Sequence, residues 1–331
     1  MAETKIADII VPEVFGPYIM ERSLNQSKFF DSGIMVKSPQ LSQYLGGGGK
    51  TFNIPFWQDL SGATDIPSET VAIDVNKIDT EKMIARRQIR EKAWGANSLA
   101  SALAGSNAFD AIAARVTGFW GKALDTLAIY TVRGVIANNV DADSSDLVVD
   151  ISSSTGTVVS TNKITAPKTI EAVMKQGDMF DEITGIALHS AVYATLVEND
   201  LIDYVKDSQS SMSIPTYMGL RVIVSDNLPK LTGVGSEYKY HSYLFKKGAL
   251  AYGANMGPIL PVEIGRDATK GAGIDILYTR RQFAIHPLGF SWVMASDTGI
   301  TPSDANLYHE DSWDRVYDIK NTGVVALISN G

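Results

Sequence analysis

The longest regular pattern in the chain is helical. In NAFDAIAARVTGFWGKALDTLAIYTVRGVIANN, a step of about 100° per residue places Phe109, Ile112, Val116, Phe119, Trp120, Ala123, Leu124, Leu127 and Tyr130 in one arc. Asp110, Arg115, Lys122, Asp125 and Arg133 fall in the opposite arc. This predicts one amphipathic helix over residues 107–139, opened by Asn107 with Asp110 on the next turn. At a rise of about 1.5 Å per residue it is about 45 Å long. The apolar arc is too wide for a coiled-coil seam, and Gly118, Gly121 and Gly134 interrupt the helix, so it reads as a spine laid across a sheet.

Ahead of the helix the period changes to that of strands. In TFNIPFW, Phe52, Ile54 and Phe56 alternate with Thr51, Asn53 and Pro55, as in a strand buried on one face. Pro55 has no amide hydrogen, so this strand belongs at an edge. The polar, turn-rich SGATDIPSE follows, and a second extended run from Val71 to Ile89 returns towards Trp94. Together they predict a projecting hairpin or lobe over residues 46–95, with Gly46, Gly47, Gly48 and Gly49 as a hinge at its base. Residues 1–45, punctuated by Pro12, Pro17 and Pro39, predict either an extended arm with a brief helical turn between Glu13 and Leu24 or a peripheral N-terminal strand on its own domain.

Beyond the helix, the Ser-, Thr- and Asp-rich residues 141–165 predict a short hairpin or surface insertion. Thr165 and Pro167 open a helix running to Gln176, ITGIALH reads as a buried strand, and Ser190 caps AVYATLVEND. MGLRVIVSDNLP gives a strand with Leu220, Val222 and Val224 alternating, and YHSYLFKKGALAYGA supplies one or two more. This alternation predicts a compact α/β unit over residues 165–271. In IDILYTRRQFAIHPLGFSW, Phe283 and Ile285 share one parity while Leu288, Phe290 and Trp292 share the other, so a bulge or bend is expected at His286–Pro287. RVYDIKNTGVVALISN reads as two apolar strands joined at residues 321–323. The whole is an α+β chain divided at 1–45, 46–95, 96–164, 165–271 and 272–331.

Composition narrows what such a chain does. Among 331 residues there are 29 Lys and Arg against 37 Asp and Glu, a net charge of −8, and no Cys. Disulfides, thiolate nucleophiles and Cys-ligated metals are therefore excluded. A net-acidic chain does not attract nucleic acid through its overall field. No stretch approaches the roughly 18 apolar residues of a membrane span, and the first residues do not form a signal peptide, so a cytoplasmic product without a membrane partner is expected. One basic patch stands out: EKMIARRQIREK sets Lys82, Arg86, Arg87, Arg90 and Lys92 against Glu81 and Glu91. It is either a solvated face or an ion-paired contact with an acidic neighbouring chain.

Tests for chemistry return nothing positive. YLGGGGKT fails as a phosphate-binding loop because Tyr44 stands where the first glycine must turn the chain, and a strand rather than a helix follows. His189, His241, His286 and His309 are scattered, and the cluster of His309, Glu310, Asp311 and Asp314 fits a solvated acidic turn better than a metal site. No catalytic, cofactor-binding or metal-ligating residue is assigned, and no cofactor is expected.

The order of arm, hinged lobe, long spine helix, central α/β unit and returning long strand resembles the major capsid protein of tailed bacteriophages, the Hong Kong 97-type fold. GKTFNIPFW, MGLRVIVSDNLP and RRQFAIHPLGFSW carry the resemblance, which covers essentially the whole chain. It implies that residues 46–93 are the extended E-loop, 107–139 the spine of the P-domain and 165–271 the A-domain. It implies hexamers and pentamers closing an icosahedral shell around double-stranded DNA, with a portal protein. Because the chain begins directly with the arm, a separate scaffolding protein is expected. An encapsulin-type compartment is the alternative within the fold, and a P-loop-like enzyme the alternative outside it. A lobe of two strands buries too little area alone. Phe52, Ile54, Phe56 and Trp57 are therefore expected to pack on a neighbour's spine helix, with Arg86, Arg87 and Arg90 pairing across the same seam.

Overall fold

The computed structural model describes residues 26–58, 80–104, 108–153, 155–206, 213–233, 237–294 and 299–331, with a few single positions between them. The arm before residue 26, the Asn107 cap and most of the lobe tip lie outside the described residues. Ser27 caps α1 (Lys28–Asp31), and Ser38 caps α2 (Pro39–Gly46) after the short β1 (Met35–Lys37). The lobe hairpin follows as β2 (Thr51–Trp57) and β3 (Thr80–Arg86), paired from Thr51↔Arg86 to Trp57↔Thr80. Next come β4 (Gln88–Asn97), α3 (Ser98–Ala104) and the spine helix α4 (Ala108–Ala142), 35 residues long.

After the spine, β5 (Val148–Asp150) leads to α5 (Ala166–Val173), a 3-10 segment over Met174–Glu182, β6 (Ile183–Leu188) and α6 (Ser190–Glu198). Strands β7 (Asp203–Lys206), β8 (Ser213–Tyr217), β9 (Leu220–Val224), β10 (Lys230–Thr232) and β11 (Tyr238–Lys246) complete the middle of the chain. Then β12 (Leu250–Ala254), β13 (Val262–Asp267), β14 (Ile274–Pro287), β15 (Phe290–Trp292), α7 (Asp304–Leu307), β16 (Trp313–Arg315), α8 (Ile319–Thr322) and β17 (Val324–Ser329) close it.

Two sheets carry this order. The first is built on β14, which pairs with β12 and β13 in tandem along one edge and with β4 along the other, while β1 lies parallel beyond β12. The second runs β5-β17-β11-β6-β9-β8-β7, with β10 beside β11. The spine helix bridges them. Its first half sets Phe109, Val116 and Trp120 on Ala96, Val262 and Leu277 of the first sheet, and Trp120 Nε1 donates to Thr279 Oγ1 at 3.1 Å. Its second half, from Leu124 to Ile136, enters the large core of the second sheet.

Several sequence expectations change here. The two strands of YHSYLFKKGALAYGA separate into different sheets, because the chain leaves β11 and turns through Gly248 (φ 73°) into β12. Hence β12 and β13, assigned to the central unit, belong to the β14 sheet, while C-terminal β17 lies inside the central one. Among the described residues of 141–165 no hairpin forms: Val148, Val149 and Asp150 make β5, parallel to β17 at the sheet's edge. The spine ends at Ala142, three residues late, because Asn139 ties the turn that follows, accepting from the Leu147 amide and donating to Asp146 at 2.6 Å.

No bulge interrupts β14. Residues 281–287 are all buried, so both faces are covered, and the parity switch marks a turn at Leu288–Gly289 (φ 86° at Gly289) into β15. The tail contains one apolar strand rather than two, since Asp318 caps α8 and Gly323 ends it in the left-handed region. The helix after Thr165 stops at Val173 and passes into the 3-10 segment. His189, not Ser190, caps α6, its Nδ1 accepting from the Ala191 amide at 3.2 Å.

The spine's polar arc also fails at Asp125, which is 7% exposed. Its carboxylate accepts from Ser27 Oγ at 2.5 Å and from the Lys28 and Phe29 amides, so it anchors the arm's end at the start of α1. Burial, opposed by those bonds, pushes its pKa above the usual carboxylate range. The protonated carboxyl is thus the better tolerated form, and mild acid does not by itself release the anchor. Asp125→Ala should lower the denaturant midpoint by the equivalent of about 1–3 kcal/mol, and Asp125→Asn, which keeps an acceptor, by less. Equal losses in both variants would show that the charge itself matters.

Candidate functional site

The candidate site is a set of surfaces rather than a pocket, and the lobe is its centre. Along β2 the side chains alternate as the sequence indicates, with Phe52, Ile54 and Phe56 half-buried and the residues between them exposed. The three do not wait for a neighbour. Phe52 stacks on Tyr44 of α2 at 6.0 Å, Phe56 meets the edge of Tyr317 at 4.8 Å, and Ile54 closes with its paired Met83 over the β12–β14 surface. Within the subunit these three residues fasten the lobe's base to its own body. Trp57 differs, at 66% exposed, and Leu60, Ile66 and Ile78 farther out are exposed by 81%, 90% and 46%.

The arginines of the basic limb likewise have partners within their own subunit. Arg86 is buried, with Nη1 donating to the Lys50 carbonyl at 2.9 Å and Nη2 to the Gly299 carbonyl at 2.8 Å. Arg87 donates to the carbonyls of Leu45 and Gly47. Arg90 bonds Thr301 Oγ1 at 2.9 Å and pairs with Asp304 at 3.0 Å. The sequence could not reveal this, because the acceptors are mostly backbone carbonyls distant along the chain. A guanidinium fork suits them well.

Those arginines also bracket the glycine run. Gly46 is the last residue of α2, and a Cβ there would meet Asn255 Nδ2 at 2.9 Å. Gly49 takes φ 103°, which only glycine adopts without strain, while Gly48 has open space around it. The four are thus a helix end followed by a tethered loop, with Arg87 holding Gly47 and Arg86 holding Lys50. Thr51 then enters a strand, so the phosphate-loop geometry is absent from GGGGKT.

A second fixed point lies where the C-terminal segment crosses the spine. Trp313 is fully buried, donates from Nε1 to the Leu307 carbonyl at 3.0 Å, and meets Trp292 edge-on at 5.1 Å. It presses on Gly134. Nearby, Arg315 bridges Asp146 at 2.8 Å and Asp143 at 3.4 Å, joining β16 to the turn after the spine. Of the histidines, His189 and His309 cap helical turns, while burial holds His241 and His286 down to about 4. No group of three or more His, Asp or Glu able to hold a metal occurs among the described residues.

Two sheets bridged by one long helix, with a two-stranded lobe projecting from the base, define the coat-subunit architecture of tailed phages. The capsid of Ralstonia phage GP4 superposes with a TM-score of 0.59 over 92% of each chain at 8% identity. The capsid of cyanophage Pam1 does so with 0.58 over 93% of each chain at 12% identity. These likenesses give the Hong Kong 97-type fold. The family profile described as Gp13-like, major capsid protein 13-like, matches residues 108–325. The major capsid protein of Bacillus phage SPP1 is 37% identical over 327 residues, 98% of both chains. The chain belongs to the Gp13-like family of major capsid proteins. It is a structural component of the virion, and its working form is a shell of many copies.

Proposed function

We propose that copies of this chain assemble in the host cytoplasm as hexamers and pentamers, close an icosahedral shell around double-stranded DNA, and do so without catalytic turnover. A portal protein and a separate scaffolding protein complete the proposed assembly. The observation that carries this reading is the lobe: a two-stranded sheet that ends in exposed Trp57, Leu60, Ile66 and Ile78. Large apolar side chains this exposed need another surface over them, and a neighbouring copy is the surface a shell supplies. The hinge proposed at residues 46–49 would then set the angle at which each lobe reaches its neighbour.

Charge fits a container. At −8 per copy, a wall of many copies repels packaged DNA and confines it without gripping it, provided the inner face shares the sign. Nuclease-treated heads from infected cells should release double-stranded DNA of uniform length. Particles that release protein cargo and no DNA would instead favour an encapsulin-type compartment. At the level of one residue, Trp57→Ser should cut shell yield severely while changing subunit stability by no more than about 0.5 kcal/mol, as expected of an exposed position. Full shell yield from that variant would remove Trp57 from the contact.

A further inference from the structure

The lobe is fastened over a cavity that contains an unpartnered histidine. His286, at the end of β14, is 1% exposed, and neither of its ring nitrogens has a hydrogen-bond partner. It lines a cavity of about 70 Å³ together with Leu41 and Tyr44 of α2 and with Ile54 and Met83 of the hairpin. Ile54 and Met83 are direct partners across β2 and β3, so the two strands jointly form this wall. Trp313 of β16 also lies near the imidazole, at 6.4 Å between ring centroids. No charged side chain lines the cavity, and Tyr44 is the other titratable group on its walls.

We propose that His286 is a proton-sensitive latch beneath the lobe: acid favours the hairpin lifted from the subunit body. The cavity walls are mainly apolar, with Ser38 and Gln40 at one side; a neutral imidazole tolerates such a site, whereas a buried imidazolium with no counter-charge on the walls does not. The contacts that hold the hairpin down are individually modest. Among the described residues they include the Phe52–Tyr44 and Phe56–Tyr317 ring pairs, the Ile54–Met83 cover, buried Ala85, and a bond from the Ile84 amide to Ser291 Oγ at 3.0 Å. When the hairpin lifts, Ile54 and Met83 leave the ring, and water reaches it. The chain remains tethered at the base through Arg86 and Arg87, whose acceptors include Lys50 and Gly47.

The sign follows from the two states. With the hairpin closed, burial alone lowers the imidazole from 6.5 to about 4. Lifted, it regains its ordinary value. The closed state is therefore at full stability above pH 6.5, weakens as pH falls from there towards 4, and loses nothing further below it. Between pH 7 and pH 5 the ratio of lifted to closed hairpin should rise about twentyfold. His241, also lowered to about 4, sits in β11 of the second sheet, so its protonation weakens the subunit body rather than the lobe.

Hydrogen exchange on the full-length protein at pH 7 and pH 5, corrected for intrinsic rates, tests the latch. The Ile84 amide of β3, which bonds Ser291 Oγ of the body rather than β2, should lose about twentyfold protection at pH 5 while the amides of β17 keep theirs. In His286→Leu and His286→Phe the Ile84 amide's protection should be the same at both pH values. Unchanged protection of that amide in the natural sequence, or the same loss in both variants, overturns the proposal. Should neither variant fold, NMR titration of isotope-labelled histidine in the natural sequence decides. A closed-state His286 that protonates near 6.5 overturns the latch, and one still neutral at pH 5 supports it.

Discussion

Replacing residues 58–79 by Asn-Gly should abolish shells and leave a soluble, folded subunit. Trp57 and Thr80 face each other at the last described pair of the hairpin, so a two-residue turn closes the ladder there without disturbing its register. Among the described residues, Phe52, Ile54, Phe56, Met83, Arg86 and Arg87, which fasten the hairpin to its own body, lie on the retained side of the cut. The circular dichroism spectrum and denaturant midpoint should therefore stay close to those of the natural chain. Exposed Leu60, Ile66 and Ile78 are removed, and with them the apolar surface proposed to grip a neighbour. Sedimentation should show slow subunits or small oligomers and no shell-sized species. Normal particles from this variant would mean that the lobe's outer half does not join subunits.

Gly134→Ala should destabilise the subunit severely. A Cβ at residue 134 would lie 2.1 Å from the Leu307 carbonyl oxygen and 2.8 Å from Trp313 Cδ1. Both obstacles are fixed: the oxygen is backbone and accepts the indole N–H, and the indole is fully buried against Trp292. Alanine is the better helix former, by about 1 kcal/mol over glycine, so on an exposed helix face the change would stabilise. Here overpacking dominates, and a net loss of about 3 kcal/mol or more is expected in the unfolding free energy. A stability equal to or above the natural chain's would show that the spine and the C-terminal segment do not pack this closely.

That glycine illustrates what the sequence could and could not disclose. The interruption of the spine by Gly118, Gly121 and Gly134 was visible and argued against a coiled coil. Its reason at residue 134 is a tertiary approach by a segment some 180 residues later, which no local pattern encodes. Alternation in TFNIPFW disclosed which side of β2 is covered, but not that the cover is Tyr44 and Tyr317 of the same chain. Period and polarity report burial, whereas the identity of the burying surface depends on topology.

The spine shows the same boundary within one element. Its first half obeys the two-arc pattern because only one side meets a sheet, so Phe109, Val116 and Trp120 are buried and Asp110 is exposed. Its second half is enclosed by the second sheet, α7 and β16, and there the arcs lose meaning. Asp125 marks the crossover, where a charge placed outward by periodicity turns inward to cap α1. For the arginines of the returning limb, charge alone suggested a partner with opposite charge, and carbonyl oxygens turned out to be the main acceptors. The central unit's boundaries were hidden for a different reason: the second sheet recruits β5, which precedes that unit, and β17, which lies near the C-terminus.

The most direct test of the proposed shell is electron microscopy of the purified full-length protein, expressed with the genes that neighbour its own. Icosahedral particles whose walls resolve into six-fold and five-fold clusters, with each lobe lying across an adjacent copy, are the predicted result. Particles of another symmetry, or a shell in which every lobe contacts its own subunit alone, would contradict the account.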